Sequence, residues 1–441
     1  CKWAFINHRR RTSYAHTILL GIFRRALLSA TLINHKNNIS CMKKVVLKNG
    51  LTVLYYPKKG NSVVVEVMIK VGSCHEKNNE RGISHFLEHI LFEGTAKRPT
   101  NKEISNEIER IGGDFNAYTS TEKTCFYAKV LRKHFSIAAD VLADILRHPL
   151  LREEDIKKEK NVVLKEIAMI YDEPRYHQWI LLQQNLFEKH PCKYPTYGDL
   201  KVIKSLNKNK VQDFFRKYYV PNNMAVSIVG DVPDWEKEIE KQFVLKKGKI
   251  TKTNFPQEPA LYRNKNISLK KNIFNTHLVL GFKTVSRVHF DSYVLDVING
   301  ILGRGQSGKM FTEIRSKRGL AYDVGTQMIA ENCWGYFAVY AIIDKKNISL
   351  VKDLMLKEIQ QLKNVSDTDI QEAQDFIEGD YLLEMEDTQK VADHILFWEQ
   401  VKSAEEMKEY LKNIKKVTVK DVKRVVDKYL KYHVAVVLKG K

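Results

Sequence analysis

The chain holds little that would tie it to a disulfide framework, a thiolate metal site or a nucleic acid. Its six cysteines, Cys1, Cys41, Cys74, Cys125, Cys192 and Cys333, are widely spread and form no C-x-x-C pair. That argues against a thiolate zinc site and a dense disulfide scaffold, and points to a reducing compartment. There is no zinc-finger spacing, no aromatic-rich RNA-binding pattern and no dense arginine stripe. Residues 1–41 contain no Asp or Glu, and their longest apolar run, Ile18 to Phe23, is too short to span a bilayer, so no membrane span is expected.

The net charge of +21 is unevenly placed. Seven Lys and Arg fall within the acid-free residues 1–41, and taking those seven away leaves +14 over the rest. Much of that excess is lysine in scattered KK pairs, which reads as a solvated surface; no nucleic-acid partner is expected. Residues 1–41 form a basic leader, read either as a presequence or as a segment foreign to the folded protein, since Met42 opens a strand-like stretch. With 441 residues, 44% of them hydrophobic, the chain can bury sizeable cores and is long enough for two domains.

From Met42 the pattern predicts strands in "KVVLKNGLTVLYYP", with a hairpin turn at Asn49-Gly50, and in "SVVVEVMIKVGS". "RGISHFLEHILFEGT" reads as a helix ended by Gly94, and "NKEISNEIERIGG" as a second one. A strand-like stretch around "DFNAYTS", two periodic helices and a buried strand at "MAVSIVGDV" complete the first half. Residues 245–265 are polar, basic and broken by Gly248, Pro256 and Pro259, as a linker would be. Beyond them strands and helices recur in similar order. The closing segments "NKVQDFFRKYYVPNNMAVSIVGD" and "TVKDVKRVVDKYLKYHVAVVLKG" share one helix-to-strand pattern. The expected fold is α+β, with two duplicated α/β-sandwich domains at 42–244 and 266–441, each a mixed or antiparallel sheet with helices.

The chemistry lies in "HFLEH". On a helix turning about 100° per residue, His85 and His89 lie about 40° apart and one turn apart, so both imidazoles can reach one ion, and two neutral histidines suit Zn²⁺. Glu88 lies about 60° from His85 on the side away from His89, where its carboxylate can serve as a base on a water rather than as a ligand. A catalytic zinc needs a third protein ligand. Glu159 and Glu166, seven apart on one helical face, are both candidates, and spacing does not separate them. "GRGQSGK" is not a phosphate loop, because Met310 follows Lys309 where Ser or Thr would be required.

H-x-x-E-H followed by "GT", with Glu166 placed 77 residues past His89, resembles the inverzincin peptidases of the pitrilysin, insulinase and mitochondrial processing peptidase family. The resemblance implies His85, His89 and Glu166 as zinc ligands, Glu88 as the residue that activates water, and Glu159 as support for the site. It implies that "GGDFNAYTS" is an edge strand that receives substrate backbone, with Asn116 and Ala117 lining the cleft. It also implies that Arg315 and Tyr322, in "FTEIRSKRGLAYDV", face the zinc across a clam-shell chamber, Arg315 holding a carbonyl or carboxylate and Tyr322 stabilising an oxyanion. The second half has no H-x-x-E-H and is expected to be non-catalytic. The implied function is a zinc endopeptidase acting on unfolded or extended peptides, with a non-catalytic subunit of the same fold as the alternative. A homodimer, or a heterodimer with a related chain, is expected. A prokaryotic-type cytoplasm is the expected location, with the mitochondrial matrix as alternative.

Overall fold

In the computed structural model, residues 42–250 and 253–440 are described; residues 1–41, on which the leader expectation falls, residues 251–252 within the expected linker, and Lys441 lie outside them. The first half builds a six-stranded sheet in the order β1-β2-β6-β3-β5-β4, from Lys43–Val46, Thr52–Tyr56, Ser62–Ile69, Asp114–Thr119, Thr124–Leu131 and Met224–Val229 in chain order. Gly50, at φ +88°, makes the predicted β1–β2 turn, a backbone region in which a Cβ is strained. The second half builds a five-stranded sheet in the order β7-β11-β8-β10-β9, from Lys265–Lys270, Thr276–Lys283, Ala321–Ala330, Gly335–Ile343 and Val434–Lys439.

The two sheets follow one plan. β2 runs parallel to β6, and β7 runs parallel to β11; every other pairing is antiparallel, so β6-β3-β5-β4 matches β11-β8-β10-β9 strand for strand. β4 and β9 are therefore equivalent edge strands.

Five helices of the first half matter for the site: α1 (Ile83–Ile90), α2 (Asn101–Glu109), α3 (Phe135–Arg147), α4 (Glu153–Asp172) and α5 (Pro174–Leu186). The helix expected to run to Gly94 closes earlier, at Ile90. Leu91 takes the cap, and Phe92 and Glu93 turn back on the carbonyls of His89 and Ile90. Pro174 stands at the first position of α5, where its missing N–H costs nothing, and it separates α5 from α4.

Strand alternation divides the first core in two. Val63, Val65, Val67 and Ile69 of β3 face α1 and α3, with Phe86, Leu87, Val141 and Leu142. Val64 and Met68 face the opposite way, towards a second-half helix, Thr388–Val401, whose Val391, Ala392, Ile395 and Leu396 share their core. The exchange is mutual. α5 leaves the first half and packs on β8 and β11 through Leu182 and Leu186. Gly281 of β8 makes room for it, since a Cβ there would lie 2.3 Å from Leu182. Each sheet thus has one face closed by a helix from the other half.

Candidate metal centre

α1 is short, and its start is set by backbone packing and a distant acid rather than by a capping side chain of its own. Gly82, the N-cap, sits at φ +96°. A Cβ on it would meet Tyr197 O at 2.6 Å and the Cα of Gly198 at 2.9 Å, so only glycine allows this close approach. The buried carboxylate of Glu76 accepts the N–H groups of Gly82 (2.7 Å) and Ser84 (2.8 Å), placing negative charge at the positive end of the helix. Burial pushes Glu76 up to about 7 against those hydrogen bonds. Ile83, Phe86, Leu87 and Ile90 bury one face of α1, which fixes the rotation that aims His85 and His89 at α4.

The structure brings His85, His89 and Glu166 together. The Nε2 atoms of the two histidines are 3.3 Å apart, and Glu166 Oε2 lies 3.3 Å from His89 Nε2 and 3.7 Å from His85 Nε2. A tetrahedral ion with ligands at about 2.0–2.1 Å needs its ligand atoms about 3.3 Å apart, which is close to what these three provide. Among the described residues this is the one group of three or more His, Cys, Asp or Glu residues whose ligand atoms converge so.

The electrostatics favour a positive charge at the centre. Burial holds His85 below its ordinary value. Burial opposes charge on His89 as well, but hydrogen bonds to Glu159 and Glu166 outweigh it and raise His89 to about 9. Glu166 goes the other way: burial would raise it, and the hydrogen bond to His89 and the charges of both histidines take it below the usual carboxylate range. Glu166 Oε2 is buried, and the groups facing it are the two converging Nε2 atoms. The donor set therefore fits Zn²⁺: two imidazoles and a carboxylate, partly buried, wanting a cation.

Glu159 occupies a different place from Glu166. Its Oε2 lies 3.2 Å from His89 Nδ1, the nitrogen turned away from the centre. With Nδ1 donating to that carboxylate, the Nε2 of a neutral His89 is the nitrogen that would offer its lone pair to a metal. Glu88 is buried, and Thr119 Oγ1 of β4 donates to its Oε2 at 2.7 Å. Sequence reasoning missed both Thr119 and Glu76. Thr119 was within reach, because alternation puts it on the same face of β4 as Ala117; Glu76 lies in a loop with no pattern to mark it.

Among the described residues β4 pairs with β5 alone, leaving its other edge free of sheet partners. Ala117 is 2% exposed with its side chain in the core, so only its backbone can meet a ligand. Asn116 lies on the face opposite Thr119, and its Oδ1 accepts the N–H of Ala117 at 2.9 Å. Arg315 and Tyr322 lie against each other. The Arg315 guanidinium carbon lies 5.9 Å from the Tyr322 ring centroid, and Tyr322 is 69% exposed.

Residues 52–200 match the family described as Insulinase (Peptidase family M16), and residues 205–377 match the Peptidase M16 inactive domain. A Rickettsia bellii protein named as an uncharacterized zinc protease is 34% identical over 390 residues, covering 86% of this chain and 93% of its own. The chain belongs to peptidase family M16. A Bacillus subtilis M16 relative, named uncharacterized zinc protease YmxG, is 33% identical over 78% of this chain and 83% of its own length. The probable mitochondrial-processing peptidase subunit beta of Arabidopsis thaliana is 28% identical over 90% and 78%. The M16 fold is shared with a solved Helicobacter pylori protease at TM-score 0.85 and 23% identity, covering 90% of this chain and 99% of that one. No helix among the described residues is long and apolar enough to cross a membrane.

Proposed function

We propose that this chain is a zinc-dependent endopeptidase that cuts extended peptides, with residues 42–244 carrying the chemistry and 266–441 completing the chamber. The observation that carries the reading is the convergence of His85 Nε2, His89 Nε2 and Glu166 Oε2 within 3.7 Å of one another, beside a buried carboxylate. Zinc held by those three atoms would act as a Lewis acid and make a water more acidic. Glu88 takes a proton from the attacking water and later delivers it to the leaving amine. Thr119 holds Glu88 Oε2 and leaves the other oxygen for that transfer. Glu159 keeps His89 in the tautomer and orientation that coordination needs. The free edge of β4 pairs with substrate backbone, a mode that selects extended chains and places the bond beside Glu88.

Arg315 and Tyr322 are assigned to carbonyl binding and oxyanion stabilisation from the opposite side of a closed chamber. The exposure of Tyr322 suits closure by a second copy or a related chain. The bacterial relatives favour a cytoplasmic role. The test is zinc analysis together with cleavage of a fluorogenic peptide, with and without chelator, for the wild type and Glu88→Gln. The variant should keep its zinc and lose cleavage. Undiminished cleavage by it would remove the mechanism, and a wild type without chelator-sensitive cleavage would point to a non-catalytic subunit.

A further inference from the structure

β4 is held from both faces. On the α1 face Thr119 donates to Glu88, as described above. On the other face the adjacent residue, Tyr118, points its hydroxyl between two acids. Tyr118 Oη lies 3.2 Å from Glu66 Oε1 on β3 and 2.9 Å from Asp393 Oδ1 on the 388–401 helix. Glu66 has no exposed surface, and its second oxygen accepts from Gln389 Nε2 at 2.9 Å. A sheet interior has little use for a carboxyl, and burying Glu66 beside a half-buried second acid and one phenol is unfavourable unless they serve a purpose. We propose that Tyr118 is a positioning residue of the peptidase site: anchored by Glu66 and Asp393, it fixes the tilt and depth of β4, and through Thr119 the orientation of Glu88.

The chemistry of the anchor follows from counting protons. One phenol hydrogen serves two carboxyl groups, so the contact between the acids themselves needs a further proton, and Glu66 is the group placed to hold it. Burial first, then the charge and hydrogen bond of Asp393, hold Glu66 well above the usual carboxylate range. The other titratable groups turned towards the pair are Lys123 from the β4–β5 turn and Cys125 and Tyr127 from β5, with Asp114 of β4 behind Tyr127 and Glu331 of the second half behind Lys123. Of these only Lys123 is cationic, and it can balance one carboxylate but not two. Loss of the Glu66 proton therefore sets Glu66 against Asp393 across the seam between the halves, and β4 loses its anchor.

The inference rests on the proposed peptidase activity, and the experiment separates the two. The full chain is loaded with zinc, and zinc content, kcat, KM and the pH profile of kcat are measured for wild type, Tyr118→Phe and Asp393→Asn. Tyr118→Phe should retain zinc at wild-type stoichiometry and keep KM within about twofold, while kcat falls between about tenfold and a hundredfold, the scale of a small misplacement of a reacting group. Asp393→Asn removes the negative charge facing Glu66 and supplies a permanent amide N–H in place of the labile proton. It should move the alkaline limb of kcat upwards by about one pH unit or more. A purely structural role would lower thermal stability without splitting kcat from KM or moving that limb. Wild-type kcat in Tyr118→Phe together with an unmoved limb in Asp393→Asn overturns the inference. If Tyr118→Phe does not fold, the limb in Asp393→Asn decides alone. A wild type without chelator-sensitive cleavage removes the peptidase reading and the inference with it.

Discussion

Glu159 offers the sharpest separation between a metal ligand and a residue that orients one. Its carboxylate is 3.2 Å from His89 Nδ1, and its side chain is 8% exposed. Glu166 meets both histidines at Nε2, the nitrogens that converge. Glu159→Gln keeps the size of the side chain but exchanges a charged acceptor for a neutral one, which can hold the Nδ1 proton only weakly. A hydrogen bond to a charged group contributes about 1.5–3 kcal/mol. Loss of an orienting partner of a metal ligand weakens binding about 10–100-fold, which converts to about 1.4–2.7 kcal/mol. The two routes agree. The assay is competition for zinc between the protein and a chelating dye at fixed pH, read as a dissociation constant and independent of catalysis, with Glu166→Gln alongside. Glu159→Gln should weaken zinc binding about 10–100-fold and Glu166→Gln by more. Equal losses in the two variants would show that both acids ligate, and no loss in Glu159→Gln would refute the orienting role.

Gly82→Ala puts a Cβ 2.6 Å from Tyr197 O at φ +96°, so it should cost about 1–3 kcal/mol of stability in urea unfolding and weaken zinc binding by shifting the start of α1. Glu122, in the β4–β5 turn, accepts the N–H groups of Asn332 and Cys333 from the second half at 3.2 and 3.1 Å; burial first, then Glu331, raises it to about 7. The folded chain therefore keeps a proton that the unfolded chain releases above its ordinary value of 4.5. Its contribution is full below that pH, declines by about 1.4 kcal/mol per unit as pH rises to about 7, and is flat beyond. Glu122→Gln should remove that part of the slope in thermal melts across the window; an unchanged slope would show that Glu122 is not the group titrating.

Legibility followed sequence distance. His85, Glu88 and His89 sit on one short helix, where the period of 3.6 residues is enough to place them on one side. The pair Glu159 and Glu166 was visible as two acids on one face, but spacing alone left their roles open. The roles part only in the fold, where one acid reaches Nε2 and the other Nδ1. The duplicated plan showed in the matching closing segments, while the strand orders that make β4 and β9 equivalent required the pairings themselves. Strand alternation would have sent Asn116 to the face away from Thr119, a step the edge-strand resemblance did not include. Tyr118 and Asp393 are 275 residues apart, and no local pattern links an aromatic in a strand to an acid in a helix at that distance.

The exchange of helices explains why the site cannot be understood from the half that carries it. Spacing and composition mark residues 245–265 as the natural place to divide the chain, yet the apolar face of the first sheet, with Leu54, Val64, Met68, Ala225 and Val229, is closed by the 388–401 helix. The second sheet relies on α5, through Leu182 and Leu186 against Val279, Val434 and Val436. Cutting the chain at the linker without reassociation would bare both faces. At about 25 cal/mol per Å² of apolar surface, even a few hundred Å² on each amounts to several kcal/mol, comparable with the whole stability of a domain. The same helix supplies Asp393 and Gln389 to the polar contacts behind β4, so its apolar and polar residues act on one strand together. On the proposed reading, the geometry at Glu88 is thus set by a segment some three hundred residues downstream, and the second half would contribute to the chemistry by holding the strand that positions Glu88.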